Sequence, residues 1–222
     1  MSTMRKTAII VGALFFVQTA SYLFGNALFR SAAETATAGN DAQALAGVFL
    51  QFVNSAAVIG IGVMMFPVLG RFREGPALGY TATKVMESAL LMVSALFAML
   101  TVQAGGSVLG AGNGTTASGP LMMEGYDFAF QLAMIALGAG SMFLMYVLYK
   151  ARLVPRALTV LGTVGYVALF ASGWLEIAGF DIAEALYVPG GLFEILFPLW
   201  LIIRGFNEPV PINPQGAELA RV

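Results

Sequence analysis

Six stretches of this chain, near residues 7 to 29, 44 to 69, 77 to 104, 121 to 149, 157 to 178 and 186 to 203, are apolar for long enough to matter. Each can cross the roughly 30 Å of a bilayer's hydrocarbon as a helix. Nothing constrains the fold more. In hydrocarbon every backbone N–H and C=O has to be paired, which leaves helices as the only structure for isolated spans of this length. The expected fold is therefore all-α, a polytopic membrane protein built as a bundle of six transmembrane helices. Composition agrees, because a chain that is 59% hydrophobic and 10% charged has no room for a soluble domain beside its spans. Residues 1 to 222 read as a single transmembrane domain.

The basic residues give a direction. Of the eleven Lys and Arg, all but one lie at or near ends that alternate crossing puts on one side: Arg5, Lys6, Arg71, Arg73, Lys84, Lys150, Arg152, Arg156, Arg204 and Arg221. Arg30 alone falls on the other. Basic loops are retained on the cytoplasmic side, so both termini are expected to be cytoplasmic. Arg5 and Lys6 before an apolar run resemble the start of a secretory signal. Thr7 to Phe29 is much longer than a signal's apolar core, however, and reads as a retained first helix.

Several functions are excluded or set aside by residue type. With no Cys and no His, thiolate nucleophiles, disulfides, Cys/His zinc sites and Ser-His hydrolytic arrangements are unavailable. No metal site, cofactor or catalytic set is assigned. A net charge of -1 argues against nucleic acid, which demands a concentrated basic patch. Tyr126-Asp127 lacks the companion Gly-x-Gly-Asp of intramembrane aspartyl proteases. The twelve Met show no clustered ligand spacing and read as packing. The sequon Asn113-Gly114-Thr115 matters only in a glycosylating pathway.

Polar groups inside the spans carry the remaining information. An ionisable side chain at a helix centre costs roughly 2.5 to 3.5 kcal/mol to insert. Glu194 lies near the middle of the sixth span, after Pro189-Gly190-Gly191 and four residues before Pro198. Prolines there remove backbone bonds, so the helix is expected to be weakened around the carboxyl. Two readings stand: a proton, cation or ligand site, or a buried carboxyl that locks the bundle. Lys84 and Glu87 share a helix face at a spacing of three and read as a structural ion pair.

The fourth span places Glu124, Asp127 and Gln131 on one face, and the fifth carries the stripe Gly162, Gly165, Ser172, Gly173 and Glu176, whose small members favour close packing. Gln18, Tyr22, Asn26 and Arg30 recur every four residues in the first span, answered by Gln51, Asn54 and Ser55 in the second. These groups must face protein or water. Most of them fall in the outer half of their helices, so an outward-facing polar cavity is expected. Its candidate ligand-binding residues are Glu194, Asp127, Glu176, Arg30, Asn26, Tyr22, Asn54 and Gln131, with Glu176, Asp127 or Glu194 as the partner of Arg30.

The outer connectors, Ser31 to Gln43 and Gly105 to Pro120, are rich in small and polar residues and read as flexible. On the basic side, Arg71-x-Arg73-x-x-Pro76 and Lys150-x-Arg152-x-x-Pro155 share a spacing, a weak sign of a duplicated unit. The tail from Asn207 through Pro209 and Pro211 breaks helical periodicity, and its last dozen residues read as mobile.

Two longer segments are more specific. One is Leu148-Tyr149-Lys150-Ala151-Arg152-Leu153-Val154-Pro155-Arg156-Ala157-Leu158, followed by Gly162, Gly165 and Tyr166; the other is Glu194 to Asn207. Together with Lys84-x-x-Glu87, where Arg would be more usual first, they resemble the domain-of-unknown-function family 4386. The resemblance implies a six-span protein of the bacterial inner membrane and no established activity.

Three functions of different class remain. The preferred one is non-catalytic binding or transport of a small polar or cationic solute, or a lipid, through the outer-half cavity. The second is a structural or regulatory membrane subunit, and the third a membrane-embedded enzyme using Asp/Glu chemistry. The lipid bilayer is the expected partner, with a homo-oligomer or a membrane-complex partner as further options.

Overall fold

The structure, a computed structural model, describes residues 3–35, 41–103, 118–180 and 183–207. Residues 36–40 and 105–117 of the outer connectors, the Asn113 sequon among them, and the tail beyond Asn207, including Arg221, lie outside the described residues. Six helices follow one another: α1 (Thr3–Thr35), α2 (Asp41–Gly70), α3 (Glu74–Gln103), α4 (Ser118–Ala151), α5 (Arg156–Ile177) and α6 (Ala183–Ile203). All six are long and apolar enough to cross a membrane. Their outer surfaces stay apolar, with Phe24, Phe49 and Val188 each about two-thirds exposed. Water would penalise such a surface, and lipid does not. The chain is a multi-pass membrane protein in contact with the bilayer.

Each helix packs on its neighbours in sequence, and α6 returns to pack on α1, so the six form a closed ring. Glycines set several of the contacts. A Cβ on Gly47 would lie 2.7 Å from the Gly25 carbonyl oxygen, and one on Gly165 would lie 2.7 Å from the Gly190 backbone. Removing side chains at these points lets α1 approach α2 and α5 approach α6, which strengthens dispersion contacts where lipid offers no hydrophobic drive. Buried hydroxyls add cross-helix bonds: Ser88 Oγ donates to the Ser55 carbonyl at 2.9 Å, and Ser94 Oγ to the Tyr126 carbonyl at 2.9 Å.

At the end of the ring that holds both α1's start and α6's end, here the basic face, the interior is filled. Phe15 meets Phe197 edge-on at 5.4 Å, Phe197 stacks on Phe193 at 5.0 Å, and Tyr166 meets Phe193 at 5.5 Å. Arg5 closes the ring there, donating to the carbonyls of Leu201, Ile202 and Ile203 at 3.2, 2.7 and 3.2 Å. Those carbonyls are the unpaired last-turn acceptors of α6, which a cation satisfies well. Asn207 ties the α6 end to the α4–α5 turn, its N–H donating to the Leu153 carbonyl at 2.8 Å.

Three expectations are corrected. Lys84 is not an end residue: it lies about 15 Å into α3 at 1.5 Å per residue and is 2% exposed. The bias towards the basic face therefore rests, among the described residues, on Arg5, Lys6, Arg71, Arg73, Lys150, Arg152, Arg156 and Arg204. The two similar turns close differently, since Pro76 lies inside α3 whereas Pro155 precedes α5 as its cap. Finally, Ser31–Thr35 and Asp41–Gln43, expected within a flexible connector, are the end of α1 and the start of α2, where Ala32, Ala33 and Ala44 are buried in helix packing.

The close α5–α6 contact yields a direct test. Gly165→Ala should lower stability by about 1–3 kcal/mol, the usual cost of overpacking, when unfolding is followed in mixed micelles. Gly75→Ala, whose added Cβ meets nothing within 4 Å, serves as the control and should be neutral.

Candidate functional site

Away from the basic face the ring is not filled. A cavity of about 810 Å³ lies there, lined by residues of all six helices, within the range typical of small-molecule sites. All eight side chains singled out above, Tyr22, Asn26, Arg30, Asn54, Asp127, Gln131, Glu176 and Glu194, line it. Gln18 and Glu87 line it as well. Glu124, which shares a helix face with Asp127, points away and is exposed.

At the mouth, the ridge on α1 meets α4. Arg30 pairs with Asp127 through Nη2 and donates from Nε to Asn26 Oδ1 at 3.0 Å. Its guanidinium lies 5.5 Å from the ring centroid of Tyr126. Tyr126 in turn donates to Asn26 Oδ1 at 2.8 Å and accepts from Gln51 Nε2 at 3.1 Å. A network thus runs from α2 through α4 to α1. The ion pair is 40% and 45% exposed on its two sides, so it contributes little stability, about 0–1 kcal/mol. Its stronger effect is to hold Arg30 against Asp127 and away from the deeper carboxyls.

The opposite side of the mouth belongs to α5 and α6. The Tyr187 hydroxyl lies 3.1 Å from Gln131 Oε1 and 3.2 Å from Glu176 Oε2. It has one proton to donate, so one acceptor at a time is satisfied. Between the two sides Tyr22 stacks on Phe130 at 5.0 Å with the rings nearly parallel.

Deeper in, the Tyr166 hydroxyl reaches Glu194 Oε1 at 3.5 Å, a long hydrogen bond. Lys84 Nζ stands 2.9 Å from Glu87 Oε2, both side chains 2% exposed. Glycine at position 62 makes room for the lysine stem, since a Cβ there would lie 2.9 Å from Lys84 Cβ. Glu194 is close enough to feel the charges of both Lys84 and Glu87. Two amide oxygens, Gln18 Oε1 and Asn54 Oδ1, are buried without a protein partner. Both residues line the cavity, where water or a ligand can satisfy them.

Sequence reasoning did not assign Tyr126 and Tyr187 to the site. An isolated tyrosine in a membrane helix carries the same signal as one anchored at the headgroup level, and only the three-dimensional neighbours separate the two. Among the described residues no group of three Asp or Glu side chains gathers to hold a metal ion.

The family model described as a domain of unknown function (DUF4386) matches residues 10–205. The chain belongs to the DUF4386 family. No curated protein and no solved structure matches it. The span shared with other DUF4386 proteins includes every cavity residue, from Gln18 to Glu194.

Charge in this DUF4386 cavity is unbalanced. Glu87, Asp127, Glu176 and Glu194 line it against Arg30. Arg30 is taken by Asp127 and Lys84 by Glu87, so Glu176 and Glu194 have no cation in contact among the described residues. The two ion pairs differ in what they contribute. Breaking a buried pair leaves a charge uncompensated, which costs about 3–5 kcal/mol. Lys84→Met should therefore destabilise the protein strongly, while Lys84→Met combined with Glu87→Gln should recover part of the loss. Unfolding free energies of the wild type, both single variants and the double variant decide it; losses that simply add would show the two side chains to be independent.

Proposed function

We propose that this DUF4386 protein is a non-catalytic binding or transport protein whose cavity receives a small, positively charged polar group. It resides in the bacterial inner membrane with the basic face cytoplasmic, so that the cavity faces outward. The observation that carries the reading is the excess of carboxyls in a confined cavity whose arginine is already paired. In a site walled by low-dielectric protein and lipid, an uncompensated carboxylate attracts a cation far more strongly than it would in water. The unpartnered oxygens of Gln18 and Asn54 supply acceptors for it. Closure by the Phe15, Phe193 and Phe197 rings supports a site closed towards the basic face.

Glu194 is the side chain on which binding should turn. Tetramethylammonium titrated into the detergent-purified protein should bind and raise its melting temperature. Glu194→Gln, which keeps the shape of the side chain, should retain the fold and weaken that binding roughly tenfold or more, about 1.4 kcal/mol. Undiminished affinity in the variant would remove Glu194 from the site. A variant that fails to fold would instead mark the carboxyl as structural, as expected of a membrane subunit whose polar groups serve packing.

Orientation has its own measurement, made simple by the absence of Cys. In intact cells an impermeant maleimide should label Ala178→Cys and leave Arg71→Cys untouched until the membrane is permeabilised. The reverse pattern would turn the cavity towards the cytoplasm.

A further inference from the structure

The seam between α1 and α6 is tight at one end. There a Cβ on Gly12 would lie 2.7 Å from Ile202 Cγ1 and 2.9 Å from the Pro198 carbonyl oxygen, and Phe15 meets Phe197 at 5.4 Å. Further from the basic face the two helices carry residues of a different kind. Leu23, about 12 Å beyond Phe15 along α1, and Gly191, about 9 Å beyond Phe197 along α6, both line the cavity. Both are also exposed, Leu23 by 59%. Leu23 lies about three turns beyond Gly12 on α1, and Gly191 about two turns before Pro198 on α6, so both continue the faces that meet at the tight end of the seam and stand at the lip of an opening between the two helices. Gly191 keeps that lip clear, since a Cβ there would meet nothing within 4 Å. Gly190 beside it faces α5, 3.5 Å from the Gly165 carbonyl oxygen by the same measure.

Directly behind the lip stands Glu194, three residues from Gly191 and therefore on the same helix face. Apolar side chains, among them Val58, Leu91, Phe130, Met134 and Leu137, share the lining with the polar ones. A freely soluble cation has no use for either the lateral opening or this apolar wall.

We propose that the occupant is a cationic amphiphile, bearing an amine or quaternary ammonium head on a hydrocarbon chain, which reaches the cavity from the lipid between α1 and α6. The head is held at Glu194 and the chain passes between Leu23 and Gly191 towards the bilayer. This rests on the cavity being a cation site and adds the class of ligand and its route.

The test uses the full chain in lipid nanodiscs with two probes that share a head, tetramethylammonium and dodecyltrimethylammonium, the second at low mole fraction. The readout is the ratio of their affinities, each corrected for partition into protein-free nanodiscs. In the wild type the long chain should bind at least tenfold tighter. Gly191→Trp, which fills the lip where there is open space, should collapse that ratio towards one. Val188→Trp is the control: it adds the same ring on α6 to a position 68% exposed that does not line the cavity, and should keep the wild-type ratio. Binding of tetramethylammonium with no gain from the chain, or a gain that survives Gly191→Trp, would overturn the lateral route and leave the cation site standing. Binding of neither probe to the wild type would overturn both.

Discussion

A polar atom surrounded by hydrocarbon has no water to bond to, and in this protein that penalty decides which way each helix turns. Gln18, Tyr22, Asn26 and Arg30 line one side of α1, so burying any one of them rotates all four inward. The same holds for Asp127 and Gln131 on α4. Once those faces are inward, the phenylalanines and valines on the opposite faces are left to the lipid, where they are at no disadvantage. The ring is a consequence: six helices whose polar sides converge must enclose a common interior.

That interior is divided by what fills it. Aromatic rings and glycine contacts seal the basic end, where Arg5 also satisfies the last carbonyls of α6. In the other half the facing side chains are polar, bulky and already bonded to one another, and they do not interdigitate to crystal-like density. Between the sealed and open regions lies the buried Lys84–Glu87 pair, its glutamate at the edge of the cavity. A fully buried pair is weak evidence of stability. Glu194 feels both members of the pair, and their opposite charges act on it in opposite senses.

Much of this arrangement is legible in the order of residues alone. The six spans follow from length and hydropathy, with the helices running a few residues past the apolar stretches at most ends. The polar stripes on α1 and α4 are plain from their spacing of three and four. Other features depend on distances between helices that spacing within one helix does not encode. Arg30 had three acidic candidates, and it reaches Asp127 across the mouth of the cavity. Lys84 counts among the basic residues near the helix ends when read from the sequence, and its depth is accommodated by a glycine on another helix. Tyr126 and Tyr187 gain their roles only from partners distant in sequence.

Four helices of 30 to 34 residues stand beside two of 21 and 22. With α1 and α6 level at the basic face, the longer helices reach roughly 12 to 20 Å past the shorter ones at 1.5 Å per residue. The rim of the cavity is therefore a notched wall, low on the side of α5 and α6. Lipid adjoining that notch meets a shorter hydrophobic height than lipid elsewhere around the ring, and a bilayer adapts to such a mismatch by thinning locally. Trp174, exposed near the end of α5, marks the level at which headgroups settle. In a thicker bilayer Glu176 and the notch would lie lower among the acyl chains, and in a thinner one nearer to water.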